Sequence, residues 1–345
     1  SSEPRRREDT EDEAADFESS QVADFTTRPV SPPEDLAPRV GPTSFQILCC
    51  LGSGAYGKVF QVRFRPTGTI YAMKVISKQH VRETNHATYM KTERDVLTKV
   101  RHPYIVRLCF AFQSSKNLYL VMEYLSGGEL FHHLVDNGFL REDSARIYAA
   151  EMVLALDHLH ALNIVHRDLK PENVLLDAEG HVRLTDFGLA KQGLDANART
   201  RTICGTNEYM APEMIAGAGY GKAVDWWSLG AVLFEMMSGF PPFSSPNPKN
   251  LYKKILSDKV PIPSFLSDDC ADLLRGLLQR NVEKRLGAGK STMFAKRGIA
   301  AIKEHPFFKG IDWRAIERRE VEPPLKPNLT SSTDTVHFSE EFTKQ

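Results

Sequence analysis

An α+β fold is the expectation for this chain, and three features of its sequence carry it. Short β-forming runs crowd residues 45–123, apolar residues at helical spacing take over beyond 126, and a compact pair of strand-type runs lies between 174 and 184. Strands gathered ahead of helices, instead of alternating with them, give an architecture in which sheet and helices are segregated.

The compact pair is the most informative stretch. His166 to Asn173 reads His-Arg-Asp-Leu-Lys-Pro-Glu-Asn, and Asp186-Phe187-Gly188 follows a short way on. Between them, Val174, Leu175 and Leu176 form a buried-strand run, Asp177 and Gly180 a turn, and Val182 and Leu184 the return strand. Such a hairpin brings Asp168, Asn173 and Asp186 to one end. Two of them can hold Mg²⁺ there while the third meets a substrate hydroxyl.

Composition excludes several classes. The 345 residues hold 44 basic and 44 acidic side chains, so no bulk charge points to nucleic acid or an anionic membrane as partner. Five cysteines, Cys49, Cys50, Cys109, Cys204 and Cys270, lack any C-x-x-C spacing, which suits a reducing compartment better than a zinc site or a disulfide framework. No apolar run approaches the roughly 18 residues needed to span a bilayer, so membrane insertion is not expected. A cytoplasmic location is expected, with the nucleus as a second compartment.

Residues 1–43 open with an acidic cluster, Glu8, Asp9, Glu11, Asp12, Glu13, Asp16 and Glu18, and continue with five prolines. With few large apolar side chains they cannot offset their ordering entropy, and disorder is expected. Phe17 and Phe25 are either docking anchors or incidental aromatics. The run Leu51-Gly52-Ser53-Gly54-Ala55-Tyr56-Gly57 then places three glycines in one tight connection, where backbone N–H groups can approach phosphates. The same spacing occurs in dinucleotide-binding folds, but there a helix follows the glycines, whereas here Val59 to Phe64 is strand-forming. Tyr71 to Ile76 is a second strand, with Lys74 as its single charge. An unpaired lysine in such surroundings is too costly, so a partner is required. Residues 87–100 read as a helix able to present Glu93 to the strand. Leu118 to Met122 forms another strand, ending at Glu123, Tyr124 and Leu125 before the break Ser126-Gly127-Gly128.

Beyond the break, residues 143–162 carry Ile147, Met152, Leu156 and Leu159 at helical spacing, and Asp225 to Met237 is apolar nearly all round, the mark of a buried helix closed by Gly239. Gly287 to Thr292 imitates a nucleotide P-loop, yet Lys284 stands where its first glycine is required. Residues 309–345 are too poor in apolar side chains to fold alone and are expected to lie along the body as an extended tail.

These motifs, in this order, resemble protein kinases of the AGC group over residues 45–345, most closely the ribosomal-protein S-six kinases, with protein kinase B as a near neighbour. Lys58-Val59-Phe60-Gln61-Val62, Glu123 to Phe131 and Cys204-Gly205-Thr206 carry the closer likeness. The resemblance implies a two-lobed fold over 45–308: a small five-stranded lobe with one main helix (45–123), a large mainly helical lobe (126–308), and ATP between them. The tail 309–345 would be truncated before the family's turn and hydrophobic motifs. ATP would be held by Leu51, Gly52, Ser53, Gly54, Ala55, Tyr56, Gly57, Val59, Ala72, Lys74, Glu93, Met122, Glu123, Leu125 and Glu129. Lys74 would hold the α- and β-phosphates with Glu93 as its ion-pair partner, and Met122 would sit behind the nucleotide. Asp168 would take the substrate hydroxyl proton, Lys170 would steady the transferring phosphoryl, and Asn173 and Asp186 would hold Mg²⁺. Glu129, Glu172 and Glu235 would line a groove for substrates with arginine N-terminal to the target Ser or Thr. An upstream kinase would phosphorylate Thr202, opposite Arg167 and Lys191. Arg285 would pair with Glu213, and Thr206 would contact Asp168.

Two departures stand out: Tyr89 occupies the place of a histidine that in relatives touches the activating phosphate, and no F-x-x-F hydrophobic motif is found. A scaffolding pseudokinase is the alternative class, but such proteins lack the lysine, the catalytic Asp or the metal Asp, and none is missing. A dinucleotide-dependent oxidoreductase is disfavoured by the strand after Gly57.

Overall fold

The computed structural model describes residues 40–54, 57–83, 87–194, 199–200, 202, 204–289 and 297–344, with the main chain alone at 87–89 and 136–137. The expected tail therefore lies outside the described residues as far as 39, as do Ala55, Tyr56 and the side chain of Tyr89. The chain forms two compact units.

The first unit comprises residues 40–99, Arg107–Tyr124 and 339–344. Its five strands, β1 (Phe45–Gly54), β2 (Gly57–Phe64), β3 (Ile70–Ser77), β4 (Leu108–Gln113) and β5 (Asn117–Glu123), form one antiparallel sheet in the order β1-β2-β3-β5-β4. Side chains alternate across a strand, so the sequence sorts into two faces. One face carries Phe45, Val62, Phe64, Met73, Phe112, Tyr119 and Val121 in a single core, with the Phe45 ring 5.0 Å from Phe64 and 5.7 Å from Phe112. Burying each such side chain contributes about 1.5–3 kcal/mol. On the other face, the register sets Val59 beside Lys74 beside Leu120, and Gln61 beside Ala72 beside Met122. Two helices follow β3, α1 (Lys78–Glu83) and α2 (Ala87–Lys99), and α2 buries Met90, Val96 and Leu97. The short helix Glu340–Thr343 packs against β1.

The second unit comprises Val100–Val106 and Leu125–Phe338. A three-stranded sheet, in the order β6 (Gly128–Glu129), β7 (Val174–Leu176), β8 (Val182–Leu184), is the expected hairpin with one added strand. The helices are α3 (Leu130–Asn137), α4 (Glu142–Ala161), α5 (Pro212–Ile215), α6 (Ala223–Ser238), α7 (Pro248–Ser257), α8 (Asp268–Leu277), α9 (Ile299–Lys303) and α10 (Trp313–Glu317). Every residue of α6 from Val224 to Met237 is buried, as its uniform hydrophobicity requires, and Gly239 ends it in the left-handed conformation at φ 83°. Gly230 lets α8 come close, since a Cβ there would stand 2.8 Å from Leu277 Cβ.

Two boundaries differ from expectation. Residues 100–106, read as part of the strand-rich region, belong to the second unit. Ile105 bridges Leu184, Val106 N–H donates to Leu184 O at 3.0 Å, and Leu184 N–H to Tyr104 O at 3.0 Å, so this segment pairs the otherwise bare edge of β8. The tail is not wholly extended either: it contains α10 and Glu340–Thr343. Up to Phe338 it is held by hydrogen bonds that composition cannot reveal. Tyr104 Oη donates to Ile316 O, Leu325 N–H donates to Tyr148 Oη at 3.2 Å, and Arg319 meets Asp177 at 2.6 Å.

Candidate active site

In the first unit the three glycines lie at the end of β1 and the start of β2: Gly52 and Gly54 close β1, and Gly57 opens β2. Gly57, at φ 138°, has a packing reason to be glycine: a Cβ would lie 2.2 Å from Val75 O. Gly52 and Gly54 have none. A Cβ on either would meet nothing within 4 Å, and neither has a positive φ. Leu51 is buried in the same strand. On β3, beside Val59, Lys74 Nζ lies 2.8 Å from Glu93 Oε1 and 3.0 Å from Oε2, with Glu93 1% exposed. This is the partner that the lone charge in an apolar strand demanded. Val59, Ala72 and Met122 share the face of the sheet that carries Lys74. Glu123 is committed locally, since its carboxylate accepts Arg107 N–H at 2.9 Å.

In the second unit, pairing of Val174 with Leu184 sets the next residues out together. Thr185 N–H and Oγ1 both donate to Asn173 O, at 3.0 and 3.2 Å, and Asp186 follows immediately. Asn173 Nδ2 donates to Asp168 O at 2.8 Å and to Asp168 Oδ2 at 3.3 Å. Lys170 Nζ stands 3.6 Å from the same Oδ2, while Thr206 delivers its amide at 2.9 Å and its hydroxyl at 3.0 Å to Oδ1. Four groups from two distant stretches of chain thus fix one carboxylate. Arg167 at φ 70° and Asp186 at φ 55° hold left-handed conformations that side chains rarely adopt, a strain that persists only where surroundings enforce it.

Asp225 does much of that enforcing and was not identified from sequence. Fully buried at the start of α6, it accepts the main-chain N–H groups of His166 at 3.0 Å and Arg167 at 2.9 Å, and meets His160 Nε2 at 2.7 Å. Burial alone would raise its carboxyl, but the hydrogen bond from His160 and the other donors outweigh it and leave the group below its ordinary value.

Arg167 also serves the segment carrying Thr202. Its Nε donates to Leu189 O at 2.6 Å and its Nη1 to Tyr220 Oη at 3.2 Å, and Tyr220 Oη in turn donates to Thr202 O. Thr202 is exposed, whereas Thr200 is tied by two main-chain hydrogen bonds to Tyr220. Lys191, also exposed, pairs through its main chain with Val165. The expected structural pair is present: Arg285 Nη1 and Nη2 reach the two oxygens of Glu213 at 2.6 and 2.8 Å.

The three expected groove carboxylates share a neighbourhood. Glu129 has its carboxyl raised, by burial first and then by the charge of Glu172. Glu235 is raised by burial and by Glu172 and Glu208, although the hydroxyl of Tyr209 hydrogen-bonds to it and works the other way. Glu172 is exposed and Glu235 is only 5% exposed. Glu208, next to Tyr209 and not singled out from sequence, joins the group. Leu125, the remaining expected residue, is buried in the second unit.

Comparison with known proteins accords with this arrangement. The protein kinase domain family matches residues 45–308. The chain is 50% identical over 304 residues to serine/threonine-protein kinase AtPK1/AtPK6 of Arabidopsis thaliana, covering 88% of this chain and 64% of that protein. It is 49% identical over 311 residues to ribosomal protein S6 kinase beta of Caenorhabditis elegans, covering 89% and 55%. It is 46% identical over 308 residues to a RAC family serine/threonine-protein kinase homolog of Dictyostelium discoideum, covering 89% and 67%. The chain therefore spans between about half and two thirds of the length of these relatives. It belongs to the protein kinase family, within the AGC group of serine/threonine kinases.

Proposed function

We propose that this chain transfers the γ-phosphoryl group of ATP to serine and threonine hydroxyls of proteins, favours targets with arginine on their N-terminal side, and is switched on by an upstream kinase at Thr202. The observation that carries the reading is the carboxylate of Asp168, oriented by Asn173, Lys170 and Thr206 at once.

Asp168 accepts the proton of the incoming hydroxyl, and Lys170 beside it supplies positive charge for the phosphoryl in transit. Lys74, oriented by Glu93, binds the nucleotide's phosphate oxygens. Gly52 and Gly54 leave room above the sheet that packing does not otherwise explain. Asn173 and Asp186 fit a hard divalent cation such as Mg²⁺: both offer oxygen, and the Nδ2 hydrogen bonds to Asp168 leave the Asn173 amide oxygen as the donor. Mg²⁺ bound there would neutralise charge on the phosphates. Most of the rate then comes from positioning and charge stabilisation.

The carboxylates Glu129 and Glu235, each near enough to Glu172 to feel its charge, and Glu208, whose charge acts on Glu235, suit a guanidinium, which binds carboxylates through two-point charge-assisted hydrogen bonds. Arg167 reaches the main-chain carbonyl of Thr202 through the hydroxyl of Tyr220, so a phosphate on exposed Thr202 would bring new charge into the segment that this arginine serves, and charge opposite a cation orders a loop. A degenerate-peptide phosphorylation screen with ATP and Mg²⁺ tests the reading. Phosphoserine and phosphothreonine products enriched for arginine N-terminal to the target are expected. No transfer, or a preference for acidic residues there, refutes it.

A further inference from the structure

The tail carries one residue whose side chain is at odds with its backbone. Arg319 stands directly after the last turn of α10, where Glu320 N–H donates to Ala315 O at 2.9 Å and Arg319 N–H to Ile316 O at 2.8 Å. This pair of hydrogen bonds closes a helix through a residue in the left-handed conformation. Glycine is the usual occupant, yet here an arginine holds the place at φ 58°. What the arginine adds is its guanidinium: Nη2 donates to Asp177 Oδ2 at 2.6 Å and to Glu179 Oε2 at 2.9 Å, 142 and 140 positions back in the chain. Resting on the reading that Asn173 and Asp186 hold Mg²⁺, we infer that Arg319 is a positioning residue for the metal site. Through Asp177 it fixes the turn of the hairpin whose open end presents those two ligands.

Buried Asp177 organises that turn. Its Oδ1 accepts the amides of Glu179, Gly180 and His181, each at 3.1 Å, and its Oδ2 accepts Arg183 Nε at 3.3 Å besides Arg319. Of these donors, only Arg319 comes from outside the hairpin, and its hydrogen bond is of the charge-assisted kind. The main chain of the tail grips the same turn. A Cβ on Gly180, at φ 100°, would stand 1.9 Å from Leu325 O, and Tyr148 Oη donates to Gly180 O at 3.1 Å while accepting Leu325 N–H at 3.2 Å. Tyr104 Oη, donating to Ile316 O, anchors α10 behind them.

The hairpin is short enough to pass this constraint on. Its ladder has the pairs Leu176–Val182, Leu175–Arg183 and Val174–Leu184, and the next residues are joined by the amide and hydroxyl of Thr185 on Asn173 O. Four residues separate Asp177 from Asn173, at most about 14 Å of chain. A two-stranded ribbon is marginal by itself, so what holds its turn bears on where its open end lies.

The test uses the chain 1–345 with Arg319→Gly, Arg319→Lys, Asn173→Ala and Asp186→Ala. Binding of adenylyl imidodiphosphate, a non-hydrolysable ATP analogue, is measured by calorimetry in Mg²⁺ and in EDTA. Glycine removes the guanidinium and suits the left-handed backbone, so Arg319→Gly keeps the helix end. Lysine keeps a cation able to reach Asp177. The metal-dependent gain in affinity, the ratio of the two dissociation constants, should fall at least threefold in Arg319→Gly with the EDTA value unchanged, and Arg319→Lys should retain most of it. A gain in Arg319→Gly equal to that of the unmodified chain overturns the inference and leaves Arg319 as a tail anchor alone. So does an equal loss in Mg²⁺ and in EDTA, or a loss in Arg319→Lys as large as in Arg319→Gly. A gain undiminished in both Asn173→Ala and Asp186→Ala would overturn the metal reading as well, which separates the two failures.

Discussion

Thr206 gives Asp168 two hydrogen bonds on the same oxygen, from its amide at 2.9 Å and from its hydroxyl at 3.0 Å, across 38 positions of sequence. The residue that would accept the substrate proton is thus oriented by the segment that also carries Thr202. In the proposed reading, activation and chemistry meet at this carboxylate. Thr206→Val keeps the amide and removes the hydroxyl, so it should lower kcat on an arginine-containing peptide about tenfold, the cost of one charge-assisted hydrogen bond, and Thr206→Ser should restore most of it. Steady-state kinetics of the two variants check this, and equal losses in both would contradict it.

Lys74 and Glu93 should affect folding as well as binding. Removing one member of a buried ion pair leaves an uncompensated charge and costs about 3–5 kcal/mol. Lys74→Met is therefore expected to abolish phosphotransfer and also to lower the thermal midpoint. Lys74→Met/Glu93→Gln should recover much of the stability and none of the activity. Calorimetry on the variants decides it, and an unchanged midpoint in Lys74→Met would show that the pair contributes little to the fold.

Tyr220 relays Arg167 to the main chain of Thr202. Tyr220→Phe should make the gain in activity on Thr202 phosphorylation several-fold smaller, while the unphosphorylated rate changes little. Thr202→Ala should abolish the gain altogether. The comparison is of turnover before and after treatment with an activating kinase, and a full gain in Thr202→Ala would remove this threonine from the switch.

How much of this was legible in the sequence depended on range. The hairpin from Asp168 to Asp186 and the need of Lys74 for a partner could be read because their causes are local: strand periodicity, a turn, one charge among apolar neighbours. Asp225 could not be, since the amides that it caps lie nearly sixty positions earlier and its own surroundings are those of a core helix. Tyr220 was hidden for the same reason. The segment 100–106 changed units because an unpaired edge at Leu184 recruited it, which no propensity records. The tail takes its order from Tyr104, Tyr148 and Asp177, residues far from it in the chain.

Glu129 gives the site a pH dependence of known sign. Burial and the neighbouring charge of Glu172 raise its carboxyl, so it begins to protonate at a higher pH than an ordinary glutamate as the solution is acidified. A protonated carboxyl no longer attracts guanidinium. From neutral to mildly acidic pH, KM for an arginine-containing peptide should therefore rise more steeply than for the same peptide with alanine in place of arginine. In Glu129→Gln that difference should shrink. Parallel profiles for the two peptides in the unmodified chain would exclude Glu129 from substrate recognition.

In the proposed mechanism Asp168 accepts the proton of the substrate hydroxyl during phosphoryl transfer. Single-turnover transfer from ATP to an arginine-containing peptide, measured for the chain and for Asp168→Asn beside nucleotide binding by each, tests it most directly. Asp168→Asn should bind ATP with similar affinity and transfer at least about a hundredfold more slowly, within the range attributed to a positioned base. Transfer by Asp168→Asn at the rate of the unmodified chain would contradict it.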